Sequence, residues 1–197
     1  MSGIVVGQLA PSFQLPSAQG PTVGLEEFRG QKNVVVWFTK GMACPFCRSQ
    51  MSQLARAYPQ LQQVGAEVLE ITLSSVRHAR LYAARFHLPF PYLCDPDYRV
   101  RREWLLTDRR HSPAWYASLL LRSSKPEPPS SDFGEVKVSA SEILTSLYDD
   151  DMGFFIVDKQ GMVRYALAGR YEDFETLRGR ALPNNDEITR ELQELGS

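Results

Sequence analysis

Read for its apolar and polar positions, the chain alternates continuous apolar runs with stretches of helical spacing. The run "NVVVWF" at 33–38 has no polar member after Asn33, as expected of a strand buried on both faces of a sheet. Met51, Leu54, Ala55, Tyr58 and Leu61 then recur at the three- and four-residue intervals of a helix, with Gly65 as its stop. "EVLEITLSS" (67–75) predicts a second central strand. Ser75 is placed to cap a following helix to Phe86, with Ala79, Leu81, Tyr82 and Phe86 as its apolar members. "LPFPYLCDPDYRV" reads as a proline-punctuated connector carrying a short strand, and "DYRVRREWLL" as a helix.

The flanks are less regular. Residues 1–30 read as extended and turn-rich, broken by Pro11, Pro16, Gly20 and Pro21. Residues 108–138 interrupt the rhythm: "SPAWYASLLLR" suggests a helix begun at Pro113, and "SSKPEPPSSDFG" is rich in proline and serine. Ser139 and Glu142 have capping-box spacing, and "YDDDMG" reads as a solvated helix end. "GFFIVDKQGMVRYAL" is the clearest hairpin, and "NNDEITRELQEL" is an amphipathic helix with Ile188, Leu192 and Leu195 on one side. The order strand, helix, strand, helix predicts an α/β sheet with right-handed parallel crossovers. One domain over 1–197, with a helical and loop insert at 108–138, is the economical organisation.

Length and composition narrow the function classes. A chain of 197 residues can bury one sizeable core, and its 43% hydrophobic and 23% charged content is that of a globular protein. A formal net charge of -1 argues against nucleic acid or an anionic membrane as the main partner. The longest apolar runs fall far short of the ~20 residues that span a bilayer. "MSGIVVGQLAPSF" lacks a basic leader followed by an apolar stretch, so the expected location is the cytoplasm. In that compartment three cysteines suggest redox chemistry or metal binding rather than a structural disulfide.

"KGMACPFC" carries the candidate chemistry. A strand ends in a turn and a helix starts at Cys44, where unpaired backbone amides and the macrodipole favour thiolate over thiol. Pro45 suits the first helical turn, and Lys40 can add a cation nearby. Cys47, three residues on, shares the helix face at ~5–6 Å, so it can attack oxidised Cys44 and close a disulfide. Zinc would need two further ligands, and Cys94, His78, His87 and His111 are isolated singles, so no metal is expected. Cys94 reads as a buried bystander and Trp37 as core. Trp115 and Tyr116 belong to a core helix, or else cover the thiol site or a dimer surface.

With these stretches assembled, the chain resembles the peroxiredoxin-like branch of the alkyl hydroperoxide reductase/thiol-specific antioxidant (AhpC/TSA) superfamily. The segments that carry the likeness are "VGQLAPSFQLPSAQGPTVGLEEFRGQKNVVVWF", "CPFC", "LPFPYLCDPDYRV" and "GFFIVDKQGMVRY". The resemblance implies a thioredoxin-like fold, with a central mixed sheet flanked by helices and an N-terminal extension. It implies a thiol-dependent peroxidase acting on hydrogen peroxide or organic hydroperoxides, with Cys44 as nucleophile and Cys47 as resolving thiol. Thioredoxin or glutathione would be the reductant, no cofactor is implied, and a homodimer is a possible assembly. Peroxiredoxins carry Thr or Ser three residues before the nucleophile, Pro seven before it, and an Arg ahead of the "FFIVD"-like strand. Here those places hold Gly41, Trp37 and Met152, so Thr39 and Lys40, or Arg164 or Arg170, are the candidate substitutes. Two rival readings stand beside this one: a general thiol–disulfide oxidoreductase, and a non-enzymatic redox sensor using the 108–138 insert as its partner surface.

Overall fold

In a computed structural model, the described residues are 4–106, 149–170 and 183–195, together with 108–109, 112, 114 and 133. The expected helix begun at Pro113, most of the 108–138 insert, Trp115, Tyr116 and the Ser139–Glu142 cap lie outside them.

A strand flanked on both edges and covered on both faces must be apolar along its whole length, and Val34 to Phe38 are all buried. They belong to β3 (Asn33–Thr39), preceded by the small hairpin β1 (Gln14–Leu15) and β2 (Val23–Gly24) and a 3-10 turn at Leu25–Phe28. After β3 come α1 (Pro45–Gln63), β4 (Ala66–Thr72), α2 (Val76–Phe86), β5 (Tyr92–Cys94) and α3 (Arg99–Glu103). β6 (Asp108–Arg109), β7 (Asp149–Val157), β8 (Val163–Arg170) and α4 (Asn185–Glu194) complete the described elements.

The main sheet runs β5-β4-β3-β7-β8, with β6 on the first two residues of β7. β3 pairs parallel with β4 and β4 parallel with β5, while β3–β7 and β7–β8 are antiparallel, so the sheet is mixed. The N-terminal segment covers the β5 edge: Ala18 N donates to Tyr92 O, and Cys94 N to Pro16 O.

Alternation along the strands divides the interior in two. Val35 and Trp37 of β3, Val68 of β4, and Tyr92 and Cys94 of β5 face α1, α2 and α4. Val34, Val36, Phe38, Leu69, Ile71 and Leu93 point the other way, onto Phe13, Leu25 and Trp104. The cysteine pair belongs to the first of these faces.

Four sequence expectations need correction. "DDD" at 149–151 is strand rather than a solvated helix end, because its backbone pairs on with β6 and β8. The register there sets Asp149 opposite Arg109 and Asp151 opposite Arg170. α3 is only 5 residues long. Tyr98 and Leu105, flanking it, take positive φ, and Trp104 turns inward instead of continuing the helix. β4 stops at Thr72, whose hydroxyl accepts the Ser74 N–H, leaving Ser75 to cap α2. Leu81 of α2 faces outward and is 63% exposed.

Candidate active site

β3 delivers the chain to the site. Its last residue, Thr39, accepts the Gly41 N–H on its hydroxyl at 3.0 Å, which folds the turn back immediately after the strand. Gly41 sits at φ +80°, and a Cβ there would lie 2.5 Å from Thr72 Oγ1 and 3.2 Å from the Tyr92 hydroxyl. Glycine is therefore required both by the backbone and by the space. The Cys44 N–H donates to Gly41 O at 3.1 Å, closing the turn, and α1 begins.

Cys44 is the N-cap of α1, in extended conformation, and its Sγ accepts the Cys47 N–H at 3.2 Å. In most helices an oxygen fills that position; here a sulfur does, so the group satisfying an orphan amide is also the one that gains from ionising. The Arg48 N–H donates to Cys44 O, and the Arg48 guanidinium donates to Met42 O at 2.6 Å, tying turn to helix.

The two thiols are driven apart. Burial pushes the Cys44 thiol up, but hydrogen bonds from the Cys47 side chain and backbone, with the charges of Lys40 and Arg48, outweigh it and leave the group below its ordinary value. Burial pushes the Cys47 thiol up, and donation to Cys44 together with the charges of Cys44 and Glu70 reinforces this. Cys44 is thus the more acidic thiol of the pair and Cys47 the proton-bearing donor beside it. All three cysteines are free, and Cys94, buried on β5, is raised to about 11 by burial.

The structure gathers Cys44, Cys47 and the Lys40 charge at one point. It assigns Thr39 elsewhere: its hydroxyl donates to Glu70 Oε1 at 3.0 Å, beneath the turn. Arg164 pairs with Asp158 at 2.6 Å, at the hairpin end of the sheet and away from the cysteines. Arg170 occupies the register position opposite Asp151, at the same end of the sheet as Thr39. Met152 is fully buried in the cysteine-side core. Among the described residues, no group of three or more His, Cys, Asp or Glu side chains is placed to hold a metal ion.

Three participants escaped the sequence reading. Arg48 was legible in principle, since i to i+4 spacing on α1 returns it to the Cys44 side. Glu70 had a signal as well: a carboxylate inside the apolar run of "EVLEITL". Arg101, buried, donates from Nη2 to Thr39 O at 2.9 Å and lies 5.7 Å from the Phe38 ring centre, so it pins the end of β3. Nothing within "RVRREW" separates it from its solvated neighbours.

Comparison with known proteins agrees with this geometry. The chain is 35% identical over 98 residues to a chloroplastic peroxiredoxin Q of Populus jackii, covering 50% of this chain and 46% of that protein. It is 34% identical over 101 residues to the chloroplastic peroxiredoxin Q of Sedum lineare, covering 51% and 54%. The chain thus spans about half the length of the curated relatives it matches. Among solved structures, the peroxidoxin BcpB of Mycobacterium tuberculosis superposes with TM-score 0.64 over 98% of both chains at 15% identity. The bacterioferritin comigratory protein of Xanthomonas campestris, a structure concerned with alkyl peroxide reduction, gives TM-score 0.63 at 13% identity over 94% and 92% of the chains. These likenesses establish the thioredoxin-like fold. The AhpC/TSA family model matches residues 6–125, a span holding the N-terminal extension, the cysteine turn and the first three strands of the main sheet, and the chain belongs to that family.

Proposed function

We propose that the chain is a thiol-dependent peroxidase working through the Cys44–Cys47 dithiol. The observation that carries this reading is the Cys44 Sγ at the helix start, accepting the Cys47 N–H at 3.2 Å and held below the ordinary thiol range, in a member of the AhpC/TSA family. The Cys44 thiolate attacks one oxygen of hydrogen peroxide or an organic hydroperoxide. The O–O bond breaks, the leaving oxygen takes a proton as water or alcohol, and Cys44 becomes a sulfenic acid. Cys47 then displaces the sulfenic oxygen as water and closes the disulfide. A thiol reductant, thioredoxin or glutathione, supplies two electrons to restore the pair. Lys40 and Arg48, whose charges act on Cys44, take the charge-stabilising part that an arginine at the Met152 position plays in other peroxiredoxins. We assign this chemistry to the cytoplasm, where thiols are kept reduced.

The test is peroxide consumption by the reduced protein, followed with and without Cys44→Ser. Consumption of one equivalent by the native chain, lost in the variant and accompanied by a 44–47 disulfide in mass spectrometry, is the expected result. Equal slow loss in both defeats the proposal. A second reading, a general thiol–disulfide oxidoreductase, draws on the buried Met152 in the arginine position. Rapid reduction of a protein disulfide with negligible peroxide turnover selects it instead.

A further inference from the structure

Between Glu70 and Asp95 the chain carries no acidic residue, yet it places Arg77, Arg80 and Arg85 there, with His78 and His87. The whole chain is nearly balanced, with 22 Lys and Arg against 23 Asp and Glu, so the charge is segregated locally. The arginines are exposed on the outer side of α2, and Leu81, 63% exposed, lies among them. From Arg77 to Arg85 the stripe runs about 12 Å along the helix. Elsewhere exposed arginines are answered by acids, Arg29 by Glu26 at 2.9 Å and Arg99 by Glu103 at 3.1 Å. Arg85 lies over the Phe86 ring at 5.4 Å, but Arg77 and Arg80 have no ion-pair partner among the described residues. A solvated helix face normally mixes signs at three- and four-residue spacing, because like charges there repel. α2 keeps Arg77 and Arg80 one turn apart and leaves an aliphatic side chain bare beside them. Its own packing gives no reason for either.

The stripe begins beside the dithiol. α1 and α2 are successive crossovers on one face of the sheet, and both start where β3 and β4 end, so their first turns stand about 10 Å apart. Beneath the cysteine turn Thr39, Glu70, Thr72 and Tyr92 form a polar floor. Ser74, the residue before the α2 cap, has its hydroxyl 3.1 Å from where a Cβ on Gly41 would stand. The Arg80 charge is felt at Cys94, which lies in register with Thr72 and through it with Thr39. A molecule that reaches Cys44, only 4% exposed, therefore lies over the start of α2.

We propose that the outer face of α2, with Arg77, Arg80 and Leu81 foremost, is the docking surface for an acidic dithiol protein that reduces the Cys44–Cys47 disulfide. The stripe is too long for a tripeptide thiol to engage as a whole. An acidic protein surface with an apolar contact for Leu81 matches both its charge and its bare side chain. In the docked pair a partner thiolate attacks Cys44 Sγ, the S–S bond breaks, and Cys47 leaves as thiolate and gains a proton. The partner's second thiolate then displaces Cys44, so the partner ends as a disulfide and this chain as a dithiol, two electrons richer. The charges that act on Cys44 are those of Lys40 and Arg48, not of α2, so docking and thiol acidity are separable.

This inference rests on the dithiol reading above, and the test keeps the two apart. The full chain is oxidised with diamide, without peroxide, and then reduced by a thioredoxin of net negative charge, by glutathione and by dithiothreitol, each across ionic strength. If no 44–47 disulfide forms, the dithiol reading fails and this inference falls with it. If the disulfide forms, the three reductants report on docking alone. The doubly reversed Arg77→Glu/Arg80→Glu chain should react with thioredoxin roughly tenfold or more slowly at low salt. That gap should close at high salt, where the charges are screened. Its rates with glutathione and dithiothreitol should stay within about threefold of native, and the pH inflection of Cys44 alkylation should not move. Leu81→Ser should slow the thioredoxin reaction at every ionic strength. Should the reversed chain not fold, Arg77→Gln/Arg80→Gln and the native salt profile carry the test. A thioredoxin rate indifferent to α2 charge and to salt overturns the proposal. Equal slowing with glutathione makes the stripe a site for a small anionic thiol, and a changed oligomeric state at an unchanged rate makes it a contact between copies of this chain. Either result overturns it as well.

Discussion

At the scale of single residues, the site is a contest between burial and local charge. Cys44 is only 4% exposed, and desolvation by itself makes its thiol a weaker acid. The amide of Cys47 and the charges of Lys40 and Arg48 reverse that, so removing a charge moves the balance back toward the thiol. Lys40→Gln should raise the Cys44 pKa, though modestly, a partly exposed ammonium being screened by solvent. Alkylation of Cys44 followed across pH reads this shift: the inflection moves upward, and below it the variant reacts more slowly. The linkage has a definite sign. A thiol lowered on folding stabilises the native state above its unfolded value of 9.0, and that contribution is lost as pH falls through the folded value. An unchanged inflection would remove Lys40 from the site.

At the scale of elements, α1 and α4 show where sequence suffices and where it does not. Asn184 caps α4 through the Glu187 N–H at 2.9 Å, and Glu187 Oε2 returns the favour to the Asn184 N–H at 2.8 Å. Ile188 and Leu192 face inward against α1, while Asn185 Nδ2 donates to Gln53 O across the pair. Asn184→Ala should lower stability by about 1 kcal/mol, read as a lower denaturant midpoint with the same slope. A midpoint within error of native would mean that α4 docks without its cap. The helix was legible because its apolar side and cap are local patterns in "NNDEITRELQEL". β3, the "DKQG" hairpin and the Ser75 cap were legible for the same reason. The strand character of "DDD" was not, since it depends on pairing with distant β6 and β8. The polar floor beneath the cysteines was hidden too. Thr39, Glu70 and Tyr92 come from three strands, and only the sheet register brings them together.

At the scale of the whole molecule, the sheet separates two interiors with different duties. The cysteines, the polar floor and the helices α1, α2 and α4 share one face. The other is filled by aromatic packing, with the Trp104 ring centre 4.9 Å from Phe155, 5.4 Å from Phe38 and 6.2 Å from Phe13. Trp104 is fully buried and closes that face over β3 and β7. Trp104→Leu should therefore cost roughly 1–3 kcal/mol through lost ring contacts and imperfect refilling. Because the substitution lies across the sheet from Cys44, it should leave the acidity of that thiol unchanged in the folded protein. Two measurements on one variant test the division: the denaturant midpoint, expected to fall, and the pH inflection of Cys44 alkylation, expected to stay fixed. The connection most able to spoil it is Arg101, which lies by the Phe38 ring and holds the Thr39 carbonyl just before the turn. If Trp104→Leu moved the inflection as Lys40→Gln does, strain on the aromatic face would be reaching the dithiol through Phe38 and Arg101, and the sheet would be a conduit between its two interiors rather than a partition.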